Sequence, residues 1–164
     1  MRKLDEFYSF DSIEKHKGFY NDDKNYNALS DISYTDFFSP VEDEDFPFDC
    51  AFWLLLGSCN HFALSLKKVL NYTPYIIENE NNPGFHVFCQ IYKKGKWYYV
   101  DARGITSSFN EFMKIVGEFV HGEFIIRPVT KDDITEWEKD LNYNDEAYMF
   151  AEAIIRKYIS YYTI

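Results

Sequence analysis

Three short runs between Thr73 and Ala102 limit the fold more than any other feature of the chain. Thr73 to Glu78, Phe85 to Tyr92 and Trp97 to Ala102 are rich in β-branched and aromatic residues, with Asn81-Asn82-Pro83-Gly84 and Lys93-Lys94-Gly95-Lys96 between them. Parallel neighbours would need a crossover of a dozen residues or more, so links this short imply an antiparallel meander. Upstream, Cys50 to Leu56 is apolar, Gly57-Ser58 breaks the pattern, and Cys59 to Asn71 reads as a helix with Ser58 as its N-cap. Phe62, Ala63, Leu66, Val69 and Leu70 form one apolar stripe at helical spacing; Cys59 sits above it, while His61 and Lys68 fall toward the polar side.

Downstream, Ser108 to Phe119 reads as a helix, Glu123 to Val129 as a fourth strand, and Lys131 to Leu141 and Asp145 to Tyr162 as closing helices. A helix ahead of an antiparallel sheet is an α+β plan. With 164 residues and 46% apolar content, the chain suits one domain with a sizeable core. We divide it into an acidic, aromatic region at 1–48, a helix-and-sheet region at 49–129 and closing helices at 130–164. Short helices and loops are expected in the first region, and its acidic run Glu42-Asp43-Glu44-Asp45 reads as a solvated loop.

A net charge of −10 repels phosphate backbones and anionic membranes, which argues against nucleic acid or a membrane surface as partner. The acidic start, Met-Arg-Lys-Leu-Asp-Glu, lacks the apolar stretch of a secretory signal, and Cys50 to Leu56 is too short to cross a bilayer. Three sparse cysteines, Cys50, Cys59 and Cys89, do not make a disulfide framework, so a reducing, cytoplasmic setting is expected. A zinc site from these with His61 and His86 lacks paired C-x-x-C spacing, and no metal or cofactor is expected.

Chemistry concentrates at Cys59. A cysteine at a helix N-terminus meets unpaired amides and the positive end of the helix dipole, which favour an anionic sulfur. A general base needs an imidazole within reach and a partner that fixes its tautomer, and His86 and Asp101 lie on consecutive strands. A hairpin centred between Lys93 and Lys94 sets His86 opposite Asp101. One centred on Lys94-Gly95 sets Phe88 opposite Asp101, with His86 its diagonal neighbour on the same face, whereas a one-residue slip separates them. Taken singly, each residue has a plainer explanation: Cys59 as a small buried apolar group, His86 as a hydrogen-bonded strand residue, Asp101 as a partner for Arg103. Cys89 faces away from His86 and reads as packing, as does Cys50; His61 points around the helix from the thiol and reads as a solvent or cleft-rim residue.

Gly57-Ser58-Cys59-Asn60-His61-Phe62-Ala63 ahead of a helix, then Gly84-Phe85-His86-Val87-Phe88 and Gly95-Lys96-Trp97-Tyr98-Tyr99-Val100-Asp101-Ala102-Arg103-Gly104, resembles the transglutaminase-like branch of the papain-like cysteine peptidase fold. The match covers residues 50–105. It implies a Cys59-bearing helix packed on an antiparallel sheet, and Cys59, His86 and Asp101 as nucleophile, base and orienting carboxylate. The chain departs from the pattern in having no glutamine upstream of the cysteine. Oxyanion or cleft candidates are therefore Trp53, Asn60 and Gln90, besides the Cys59 amide.

The expected activity is a thiol-dependent hydrolysis or acyl transfer, of the peptidase, amidase, deamidase or transglutaminase type. It acts on a protein, a peptide or a small amide. The alternative is a non-catalytic acidic binding or inhibitory protein that retains the fold. Asp101→Asn is expected to keep the fold and lose most of the activity.

Overall fold

The computed structural model describes residues 14–21, 25–43, 46–140 and 143–164. Within them lie β1 (His16–Gly18), α1 (Asn25–Ser30), α2 (Cys59–Leu70), β2 (Thr73–Asn79), β3 (Asn82–Lys93) and β4 (Lys96–Asp101). β5 (Gly104–Thr106), α3 (Phe109–Val116), β6 (Ile125–Pro128), α4 (Lys131–Glu138) and α5 (Asp145–Lys157) follow. The strands make one antiparallel six-stranded sheet in the order β1-β5-β4-β3-β2-β6, so the class is α+β.

The β3–β4 turn sits on Lys94-Gly95, because Lys93 pairs with Lys96 and both turn residues have positive φ, 50° and 79°. That is the backbone of a two-residue type I′ hairpin, whose twist matches the strands it joins. The second of the two registers considered above is therefore the one adopted. β4 returns through another two-residue link, Ala102-Arg103, with Asp101 paired to Gly104. Here Gly104 has φ 121°, and a Cβ on it would lie 2.3 Å from the Lys17 carbonyl, so only glycine lets β1 close over the end of β5.

Side chains divide between the two faces of the sheet. Val87, Cys89, Tyr98, Val100 and Ala102 join the larger core beneath α2, with Phe62, Ala63 and Leu66 of that helix. Ile77 and Phe88 turn the other way, into a smaller cluster with Phe112 and Val116 of α3. α2 packs on β3 on one side and on α5 on another, and so buries more than one stripe. His61, expected near solvent, is 1% exposed for that reason. Its ring lies 4.7 Å from that of Tyr143 and 4.8 Å from that of Tyr148, and its Nε2 accepts the Asn144 N–H at 3.3 Å.

Smaller differences have equally local causes. Ser58 stands at the N-cap of α2 but caps nothing with its side chain. α2 ends at Leu70, with Asn71 in the left-handed conformation beyond it. The closing helix stops at Lys157 and passes into a 3-10 turn, Ile159–Tyr161. Cys50 is half-buried, ahead of a 3-10 turn at Ala51–Leu54. Glu42 and Asp43 are exposed, while Glu44 and Asp45 lie outside the described residues.

Candidate active site

His86 and Asp101 leave the sheet on the face opposite α2. Carried one step past Cys89–Val100, the observed register sets Phe88 against Asp101, so His86 is the diagonal neighbour. His86 Nε2 and Asp101 Oδ2 are 3.0 Å apart, with the imidazole 0% and the aspartate 2% exposed. The ring is fixed from the sides by Phe88, stacked at 6.2 Å, and by Phe112 and Phe119, both at 5.9 Å.

Cys59 reaches this pair from the other side of the sheet. The β3–β4 ladder stops at Cys89–Val100, which leaves the Val87 amide beyond its end. That amide donates to Cys59 Sγ at 3.4 Å, so the head of α2 occupies the place a further strand pair would have taken. His86 Nδ1 is buried without a hydrogen bond of regular geometry, and the Cys59 side chain is the neighbour that acts on that ring besides Asp101. Unliganded sites often hold such contacts loosely.

Charge explains the protonation of this group. Burial alone drives His86 toward the neutral form; the Asp101 hydrogen bond and then the Cys59 sulfur outweigh it and hold the imidazolium up to about 9. Burial alone would raise Asp101, but the Arg103 guanidinium and the His86 hydrogen bond keep it well below the usual carboxylate range.

Arg103 is the residue whose depth sequence reasoning missed. It is 0% exposed and grips Asp101 through Nη2 at 2.7 Å and Nε at 3.1 and 3.2 Å, while its own amide donates to Oδ1 at 3.0 Å. Nη2 also donates to the Phe112 carbonyl at 2.9 Å, and the Tyr20 ring lies 4.7 Å beneath the guanidinium. Asp101 thus serves His86 and Arg103 together, where the sequence offered these as alternatives. The signal lay in the two-residue gap, which a tight hairpin folds back onto the carboxylate.

Trp53 is 43% exposed and its Nε1 donates to Asp49 Oδ1 at 2.9 Å. Asn60 Oδ1 accepts from His61 Nδ1 at 3.1 Å. Gln90 faces Tyr99 and Thr73, four residues from His86 and so about 13 Å along the strand. Cys89 is buried and donates to the Ala63 carbonyl at 3.3 Å. Among the described residues no cluster of His, Cys, Asp and Glu is arranged to hold a metal ion, and no helix is long and apolar enough to cross a membrane.

The fold and site define an α+β protein in which a cysteine, a histidine and an aspartate converge where two strands part. Comparison with protein-family models, curated proteins and solved structures gives no match.

Proposed function

We propose that the chain is a thiol-dependent hydrolase or acyltransferase of the papain-like, transglutaminase-like kind, acting through an acyl-Cys59 intermediate. The observation that carries this reading is the division of labour on one imidazole. Nε2 is held by Asp101, and Nδ1, buried and otherwise unsatisfied, is left to the Cys59 side. An idle buried nitrogen costs about 1–3 kcal/mol, a penalty that a proton-transfer role accounts for.

In this mechanism His86 already holds the proton drawn from Cys59, and Sγ bonds to the carbonyl carbon of an amide, thioester or isopeptide. The carbonyl electron pair moves to oxygen, where the Cys59 amide at the head of α2 supplies one hydrogen bond. Collapse restores the carbonyl and breaks the bond to the leaving amine or thiol, which takes the proton from His86. Water or a second amine, deprotonated by the same nitrogen, then attacks the thioester and releases Cys59. Asp101 orients the ring and stabilises its cation throughout.

One observation favours a second reading, a non-catalytic binding or inhibitory protein: the three side chains are closed off, Cys59 being the most exposed at 7%. Intact mass after brief treatment with p-nitrophenyl acetate separates the two. The enzyme reading expects one acetyl group on Cys59, absent in Cys59→Ala and in His86→Ala; an unmodified wild-type chain would favour the binder.

A further inference from the structure

A cavity of about 140 Å³ opens at the head of α2, lined by Pro47, Phe48, Trp53, Gly57 and Ser58. A larger one of about 510 Å³ lies between α2 and α5, but its lining includes Lys68, Asp145 and Glu152. That space begins a full turn down the helix from Cys59, so size does not choose between the two. The smaller cavity touches the residue that precedes the sulfur.

Its lining is apolar apart from Ser58. Phe48 is buried, and Trp53 is pinned by its indole hydrogen bond to Asp49 at 2.9 Å. Gly57 turns the chain between Trp53 and Ser58 with φ 105°, and it presents no side chain to the space. An apolar cavity of about 150 Å³ holds one benzene-sized group, so this one takes a single ring or a branched aliphatic group and excludes a polypeptide backbone.

We propose that this cavity receives the apolar side chain next to the reacting carbonyl of the acyl donor, so that the site prefers donors with an aromatic or branched aliphatic group there. The assignment rests on the thiol reading above for its chemistry, but the cavity is testable apart from it. Trp53, at 43% exposure, can be truncated without emptying the core, and Trp97, equally exposed on the β3–β4 hairpin, is a matched control.

In the first arm, Cys59 is alkylated with chloroacetamides carrying N-methyl, N-isobutyl or N-benzyl groups, and the rate is followed by peptide mapping. The benzyl and isobutyl reagents are expected to label Cys59 about tenfold faster than the methyl one. The advantage should vanish in Trp53→Ala and persist in Trp97→Ala. Labelling of Cys59 without size preference overturns the cavity assignment and leaves the thiol reading standing.

In the second arm, the sulfur is removed by Cys59→Ala. The Trp53 indole N–H resonance is then titrated with N-acetylphenylalaninamide and with N-acetylglycinamide. A saturable shift with the first alone supports the assignment even if no reagent labels Cys59, an outcome that would defeat only the thiol reading. A resonance that neither amide moves overturns it whatever the sulfur does.

Discussion

Arg103 changes what each site substitution should do. A neutral residue at 101 was expected to spare the fold, but it would leave a fully buried guanidinium without its carboxylate. Breaking a buried pair from one side costs about 3–5 kcal/mol, so Asp101→Asn should lose that much stability in chemical denaturation as well as activity. Asp101→Asn combined with Arg103→Met should recover most of the stability and none of the activity. If the single variant is as stable as wild type, the Arg103 grip is not structural. The two buried histidines set opposite pH limits. His86, held up to about 9, stabilises the fold fully below the ordinary histidine range near 6.5, and that contribution is lost as pH rises from there through about 9. His61 is pulled down to about 4, chiefly by burial, so the unfolded chain takes up a proton first and stability is lost as pH falls from about 6.5 through 4. Stability measured against pH should therefore peak near 6.5. His61→Phe should flatten the acid limb alone, and His86→Phe the alkaline limb alone.

Among the elements, the β3–β4 hairpin decides whether His86 meets Asp101, and its turn is the residue pair with both φ positive. Lysine in the left-handed region is strained, whereas asparagine is favoured there. Lys94→Asn should thus raise stability by about 0.5–1 kcal/mol, visible as a higher Tm, while a drop would mean that Lys94 makes a contact worth more than the strain. The β4–β5 link makes a second demand. Gly104→Ala drives a methyl into the Lys17 carbonyl, so β1 should detach. Loss of hydrogen-exchange protection at the Phe19 amide, which donates to the Arg103 carbonyl at 2.8 Å, would report it; unchanged protection would contradict it. These elements also mark how far sequence reading reached. β2, β3, β4 and α2 were legible because their apolar residues repeat with a clear period and the β3–β4 turn carries glycine; the β2–β3 turn instead falls at Glu80-Asn81, with Asn82-Pro83-Gly84, read as turn from the sequence, drawn into β3. β1 and β5, three residues each, are too short to show any period, and they exist because neighbouring strands offer open edges.

At the scale of the whole molecule, the order of cysteine on a helix, histidine on one strand and aspartate on the next was readable. The route by which they meet was not. Nothing in the local pattern says that the β3–β4 ladder stops at Cys89–Val100, or that the sulfur enters there from the opposite face. Nor does one apolar stripe say that α5 closes over His61. Both depend on packing between segments distant in the chain. The convergence at the parted strands is the central claim, and the three cysteines offer an internal test of it. Exposure alone makes half-buried Cys50 the fastest to react, ahead of buried Cys59 and Cys89. Limiting iodoacetamide at near-neutral pH, followed by peptide mapping, should instead modify Cys59 first in wild type and lose that preference in His86→Ala. Labelling that follows exposure, with Cys50 first and Cys59 no faster than Cys89, would contradict the account.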